Sequence, residues 1–106
     1  PYLAPEYITD QQVSPRIDVY QMGLVMLELL TGSKPIQENG AATVFQIVSG
    51  EITFPPHFQE HPLWPFIRRA VSLDPAQRYR DGAEMCQALR ALSAQLFASP
   101  IREERS

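Results

Sequence analysis

The sequence predicts an all-α domain. Apolar residues from Ile17 to Leu30 cover nearly every direction around a helix, and Met85, Leu89, Leu92 and Leu96 form a second stripe at helical spacing. No stretch alternates polar and apolar residues as a half-buried strand would. At 106 residues the chain suits one small domain, a size that buries proportionally little surface, so a missing neighbour would be felt. Its 44% hydrophobic and 20% charged residues are those of a chain that folds around a core. A formal charge of -3, with Lys and Arg scattered, supplies no basic field for a phosphate backbone and argues against a nucleic-acid partner. The one cysteine, Cys86, excludes an internal disulfide, and no Cys or His cluster has zinc-ligand spacing. Both points fit a reducing, cytoplasmic setting, and no apolar run reaches the length of about 18 residues that a membrane span requires.

Taken in order, residues 1 to 13 mix prolines with polar residues and predict an irregular loop with one short turn near Glu6 to Thr9. Ser14 is a good N-cap because its oxygen accepts an orphan backbone N–H, and Pro15 suits the first helical position because it has no N–H to leave orphaned. The helix that follows is apolar enough to be buried on all sides. Thr31, Gly32 and Pro35 end it, glycine by accepting the left-handed conformation and proline by interrupting the ladder. A polar loop through Glu38, Asn39 and Gly40 leads to a short helix over Val44, Phe45, Ile47 and Val48, closed by Gly50. Pro55, Pro56 and Pro62 hold an extended connection, and a third helix runs through Leu63, Phe66, Ile67, Ala70 and Val71 until Asp74 and Pro75. Asp81 can cap the last helix while Glu84 reaches back to it. Residues 1–98 are expected to form the domain and 99–106 a linker or tail; the start at Pro1 rather than Met reads as a piece of a longer protein.

Three stretches in this order and spacing carry a resemblance. They are Pro1-Tyr2-Leu3-Ala4-Pro5-Glu6, then Asp18-Val19-Tyr20-Gln21-Met22-Gly23 opening a helix that ends Glu28-Leu29-Leu30-Thr31-Gly32, then Asp74-Pro75-Ala76-Gln77-Arg78-Tyr79. The chain resembles the eukaryotic-type (Hanks-type) serine/threonine protein kinases, in the C-terminal half of their large lobe. The fold this implies is the Ala-Pro-Glu end of the activation segment followed by helices F, G, H and I. Tyr20-Gln21 and the ending Leu29-Leu30-Thr31-Gly32 are more similar to bacterial members than to animal ones.

The resemblance implies an ion pair between Glu6 and Arg78 that pins the activation-segment end to the last helices. Arginine suits such a place because it stays charged and grips a carboxylate bidentately; the residues alone also allow two solvated charges. By resemblance Asp18 anchors the catalytic loop by accepting its backbone N–H groups, and Val25 and Leu29 support the internal hydrophobic stack. An ordinary helix-dipole partner is the other reading of Asp18. Pro1, Tyr2, Leu3 and Ala4 match the loop that receives the substrate residue after the phosphoacceptor, and tyrosine at Tyr2 is the serine/threonine-type choice. Glu28 matches a position that contacts a substrate arginine in some members, and is otherwise a plain helix acid. The match of Val44 to Val48 to helix G makes that stretch a candidate docking surface.

His57 and His61 flank prolines without a nucleophile at useful spacing and read as solvated. Cys86 reads as a small core hydrophobe, and Trp64 and Phe66 as core anchors. No catalytic residue is assigned: the chain has no Gly-x-Gly-x-x-Gly, no His-Arg-Asp and no Asp-Phe-Gly, which phosphoryl transfer in this family requires. The resemblance therefore implies no cofactor and no metal held by this chain, with ATP and Mg expected of the intact parent. Its implied partners are the remainder of the kinase domain and protein substrates. A kinase-like interaction module without activity is the alternative. Uncovered faces of helix F predict self-association of the isolated chain, with exchange of the segment Pro1 to Val13. A cytoplasmic location is expected, leaving room for a membrane anchor elsewhere in the parent.

Overall fold

The computed structural model describes residues 2–36 and 41–105. Pro1, Gln37, Glu38, Asn39, Gly40 and Ser106 lie outside them. The described residues form helices and two short 3₁₀ turns, with no strand among them, as expected of the helical part of a kinase large lobe.

Helix α1 (Pro5–Asp10) opens with proline at its first position and ends at Gln11, a left-handed C-cap at φ 53°. The expected turn near Glu6 is thus a short helix. Helix α2 (Pro15–Thr31) begins as its sequence dictates: the Ser14 oxygen accepts from the Arg16 N–H, and Gly32 at φ 71° closes the helix by donating to the Glu28 carbonyl. Helix α3 (Ala41–Ser49) is followed by Gly50 in the left-handed region, a 3₁₀ turn (Phe58–Glu60), then helix α4 (Trp64–Ala70). A second 3₁₀ turn (Pro75–Gln77) is capped by Asp74, whose carboxylate accepts from the Ala76 N–H. Helix α5 (Gly82–Arg105) starts with Asp81 accepting from the Glu84 N–H at 2.9 Å, while Glu84 reaches back one residue further than expected, to the Arg80 N–H at 2.6 Å. Among the residues expected to be linker or tail, the backbone stays helical through Arg105.

Two clusters share α2 between them. Val19 and Leu27 join Phe58, Phe66, Ile67, Ala70, Tyr79 and Met85. Tyr20 and Leu24 join Tyr2, Ala4, Ile36, Ile47 and Val71. Gly23 sits where α2 crosses α4, and a Cβ there would fall 2.7 Å from Val71 Cγ1 and 2.9 Å from Ala70 Cβ, so only glycine permits this approach.

The expectation that α2 is buried on all sides is corrected. Its buried face is Val19, Tyr20, Gly23, Leu24 and Leu27. Asp18, Met22, Val25 and Leu29 lie exposed along the opposite face, Leu29 at 79%. Spacings of four, three and four residues put these four on one stripe, which no element among the described residues covers. Cys86 is likewise corrected: it is exposed, one residue round the helix from buried Met85, on the rim of a cavity of about 290 Å³ shared with Val19, Met22 and Met26. Phe66 is buried, and half-buried Trp64 packs edge-on to Phe54 at 4.9 Å between centroids. His57 is exposed beside Glu60 at 3.3 Å, whereas His61 stacks on Phe58 and accepts from the Leu63 N–H through Nδ1, more ordered than solvation alone predicts.

Candidate functional site

The segment from Tyr2 to Glu6 is held from two directions. At its far end, the Glu6 carboxylate meets Arg78 bidentately, with Nη1 to Oε2 at 2.7 Å and Nη2 to Oε1 at 2.9 Å. The Arg78 side chain is 0% exposed and that of Glu6 7%. A charge so enclosed is stable only if every donor is used, and here each is. Beyond the carboxylate, Arg78 Nε donates to the Ser72 carbonyl at 2.8 Å, Nη1 to Arg16 at 3.1 Å and Nη2 to Leu73 at 3.4 Å. Its guanidinium also lies 4.7 Å from the centre of the Tyr20 ring. Burial pushes the Tyr20 hydroxyl up from its ordinary 10.0 to about 12, with the Arg78 charge opposing that shift.

At the near end, the Tyr2 hydroxyl donates to Glu28 Oε1, and Gln21 Nε2 donates to the Tyr2 carbonyl at 2.6 Å. Tyr2 and Ala4 are buried, while Leu3 between them stays half exposed. Alternation along this extended piece explains the pattern: Tyr2 and Ala4 pack on α2, and Leu3 points away beside Tyr7, Val13 and Ile17 around an apolar groove of about 210 Å³. The structure thus brings Tyr2, Leu3, Ala4 and Glu28 together; Pro1 lies outside the described residues. Glu28 is half-buried, and one of its oxygens is engaged by Tyr2.

Asp18 stands apart from this cluster. It is exposed at the end of the apolar stripe of α2, and no donor meets it among the described residues. Two residues to which the sequence assigned no site role hold the segment and its surroundings. Arg16 Nη1 donates to the carbonyls of Pro75 at 3.1 Å and Arg78 at 3.4 Å, clamping the start of α2 to the second 3₁₀ turn. Gln21 fixes the Tyr2 carbonyl. The signal for Gln21 was a polar residue inside an otherwise apolar helix.

The arrangement fixes the chain's own segment Tyr2–Glu6 against α2 at one end and Arg78 at the other. Among the described residues no group of His, Cys, Asp and Glu could hold a metal ion. The sequence carries no glycine-rich phosphate loop either.

The protein kinase domain model matches residues 1–92. The chain is 32% identical over 110 residues to the serine/threonine-protein kinase PknL of Mycobacterium tuberculosis, covering 95% of this chain and 26% of that protein. It is 34% identical over 97 residues to PknA of the same species, covering 88% of this chain and 22% of PknA. An Aurora kinase of Yarrowia lipolytica is 33% identical over 81 residues, or 74% of this chain. The chain therefore spans about a quarter of the length of the curated relatives it matches. A kinase-domain match over nearly the whole chain, joined to similarity with bacterial serine/threonine kinases, places this all-α chain in the protein kinase family.

Proposed function

We propose that this chain is the scaffold and part of the peptide-substrate surface of a serine/threonine protein kinase. The whole protein transfers the γ-phosphoryl group of ATP to serine or threonine hydroxyls, and the chain alone is inactive. One observation carries the reading: the segment Tyr2–Glu6 is pinned onto α2 at one end and onto buried Arg78 at the other, with Leu3 left facing a groove. A loop held this way can receive a peptide without being remodelled by it, which spares the ordering cost of binding. Glu28, oriented by Tyr2, is placed to attract a basic substrate side chain. ATP and magnesium are held by other parts of the whole protein, as are the groups that perform the transfer.

Asp18 and the exposed stripe Met22, Val25 and Leu29 are where the remainder of the kinase domain sits. An aspartate at the end of an apolar face is suited to accept N–H groups from an incoming loop while the apolar residues bury against it. In the isolated chain the same stripe drives self-association, and Val25→Gln with Leu29→Gln shifts the chain toward monomer in light scattering. The protein works in the cytoplasm or on its membrane face.

Phosphoamino-acid analysis of the whole protein's products tests the proposal. Phosphoserine or phosphothreonine is expected, phosphotyrosine alone would refute the assignment from Tyr2, and no transfer would favour an inactive kinase-like interaction module.

A further inference from the structure

The last turn of α4 carries two consecutive arginines, Arg68 and Arg69, and both line an open cleft of about 560 Å³ with Pro65, Ser72, Ala76 and Gln77. The cleft lies between α4 and the Pro75–Gln77 turn, and neither Tyr2 nor Glu28 is among its lining residues. The two guanidinium groups are set up differently. Arg69 lies over the Tyr79 ring at 4.2 Å and stands 3.7 Å from Glu84, contacts that restrict its side chain before any ligand arrives. Arg68 is exposed, and its guanidinium has no partner among the described residues. Gln77 adds an exposed amide on the opposite wall, and the Ser72 hydroxyl, donating to the Arg68 carbonyl at 3.1 Å, ties the wall to the helix end.

On a chain of net charge -3, one oriented and one uncommitted arginine facing a common space make a local exception to the acidic balance. We propose that this cleft binds a phosphate group carried on a serine or threonine side chain of a peptide segment. Planar forked donors match the oxygens of a phosphate, which offers three acceptors where a carboxylate offers two. The cleft is many times the volume of one water, so it admits the residues flanking the phosphate, for which Pro65 and Ala76 supply apolar contact. Glu84 beside Arg69 cancels part of the field, so Arg68 supplies most of the discrimination between phosphorylated and unphosphorylated peptide.

The test uses the whole protein and a fluorescein-labelled phosphoserine peptide read by anisotropy, with the same peptide unphosphorylated, a glutamate-for-phosphoserine version, and inorganic phosphate as competitor. The phosphoserine peptide is expected to bind, and Arg68→Gln to weaken it roughly tenfold or more while Arg68→Lys loses less. Arg90→Gln removes the same charge from an exposed site outside the cleft and is expected to leave binding unchanged. Competition by inorganic phosphate alone, with no preference for the peptide, would assign the site to a free ion and refute the peptide reading. Equal losses from Arg68→Gln and Arg90→Gln, or equal binding of all three peptides, would overturn the site altogether.

Discussion

Arg16 and Arg78 hold each other's backbones: Arg16 Nη1 donates to the Arg78 carbonyl at 3.4 Å, and Arg78 Nη1 donates to the Arg16 carbonyl at 3.1 Å. Two like charges tolerate this because Glu6 neutralises one of them and carbonyl oxygens, not the charges, are the acceptors. The result joins α1, the start of α2 and the second 3₁₀ turn at a single place.

Breaking the buried pair should be the most damaging single change near the site. Arg78→Ala or Glu6→Ala is expected to destabilise the fold by about 3 to 5 kcal/mol, because each strands a buried charge. Arg78→Lys should recover little of this, since one ammonium cannot replace a fork whose five N–H groups are all engaged. Urea unfolding of the variants measures both, and a loss under 1 kcal/mol in either alanine variant would contradict the account.

Arg16→Gln should cost about 1 kcal/mol, the scale of a net hydrogen bond at a half-buried place. The sharper expectation is coupling. In a double-mutant cycle with Arg78→Ala the two losses should not add, since removing Arg78 already loosens the turn that Arg16 grips.

Gly23→Ala should destabilise by about 1 to 3 kcal/mol despite the better helix propensity of alanine. The added methyl would meet Val71 and Ala70 side chains under 3.0 Å, and helix α4 would have to shift. A stabilised Gly23→Ala variant in thermal unfolding would show that the α2–α4 crossing is looser than described.

Tyr20 makes the stability sensitive to alkali. Its hydroxyl titrates at about 12 in the fold because burial disfavours the phenolate, against an ordinary 10.0 when unfolded. The unfolded chain therefore gives up this proton first. The stabilisation is complete below pH 10 and is lost as pH rises toward about 12. Ultraviolet titration of phenolate absorbance should show Tyr20 ionising late, with Tyr79, which burial also pushes up, delayed as well, and Tyr20→Phe should flatten the alkaline limb of the stability profile.

The helices were legible because their start and stop signals are local. Ser14-Pro15 and Gly32 bound α2, and Asp81 with Glu84 opens α5, each through contacts within one turn. The partners of Glu6 and Arg78 lie 72 residues apart in sequence and rest on family resemblance, because no periodicity links positions so distant. Arg16 escaped notice since its acceptors are backbone carbonyls, which carry no side-chain signature. Burial was the least legible property. An apolar stripe says that a face avoids water when something covers it, and Met22, Val25, Leu29 and Cys86 show that composition alone does not supply the cover.

The most direct test of the scaffold assignment is transfer of labelled phosphate from ATP to a serine- or threonine-containing peptide. It would compare the whole protein, its Glu6→Gln variant and the isolated chain. The account predicts transfer by the whole protein, a marked loss in Glu6→Gln as the Tyr2–Glu6 segment comes free of Arg78, and none by the chain alone. Transfer by the isolated chain, or an unaffected Glu6→Gln enzyme, would contradict it.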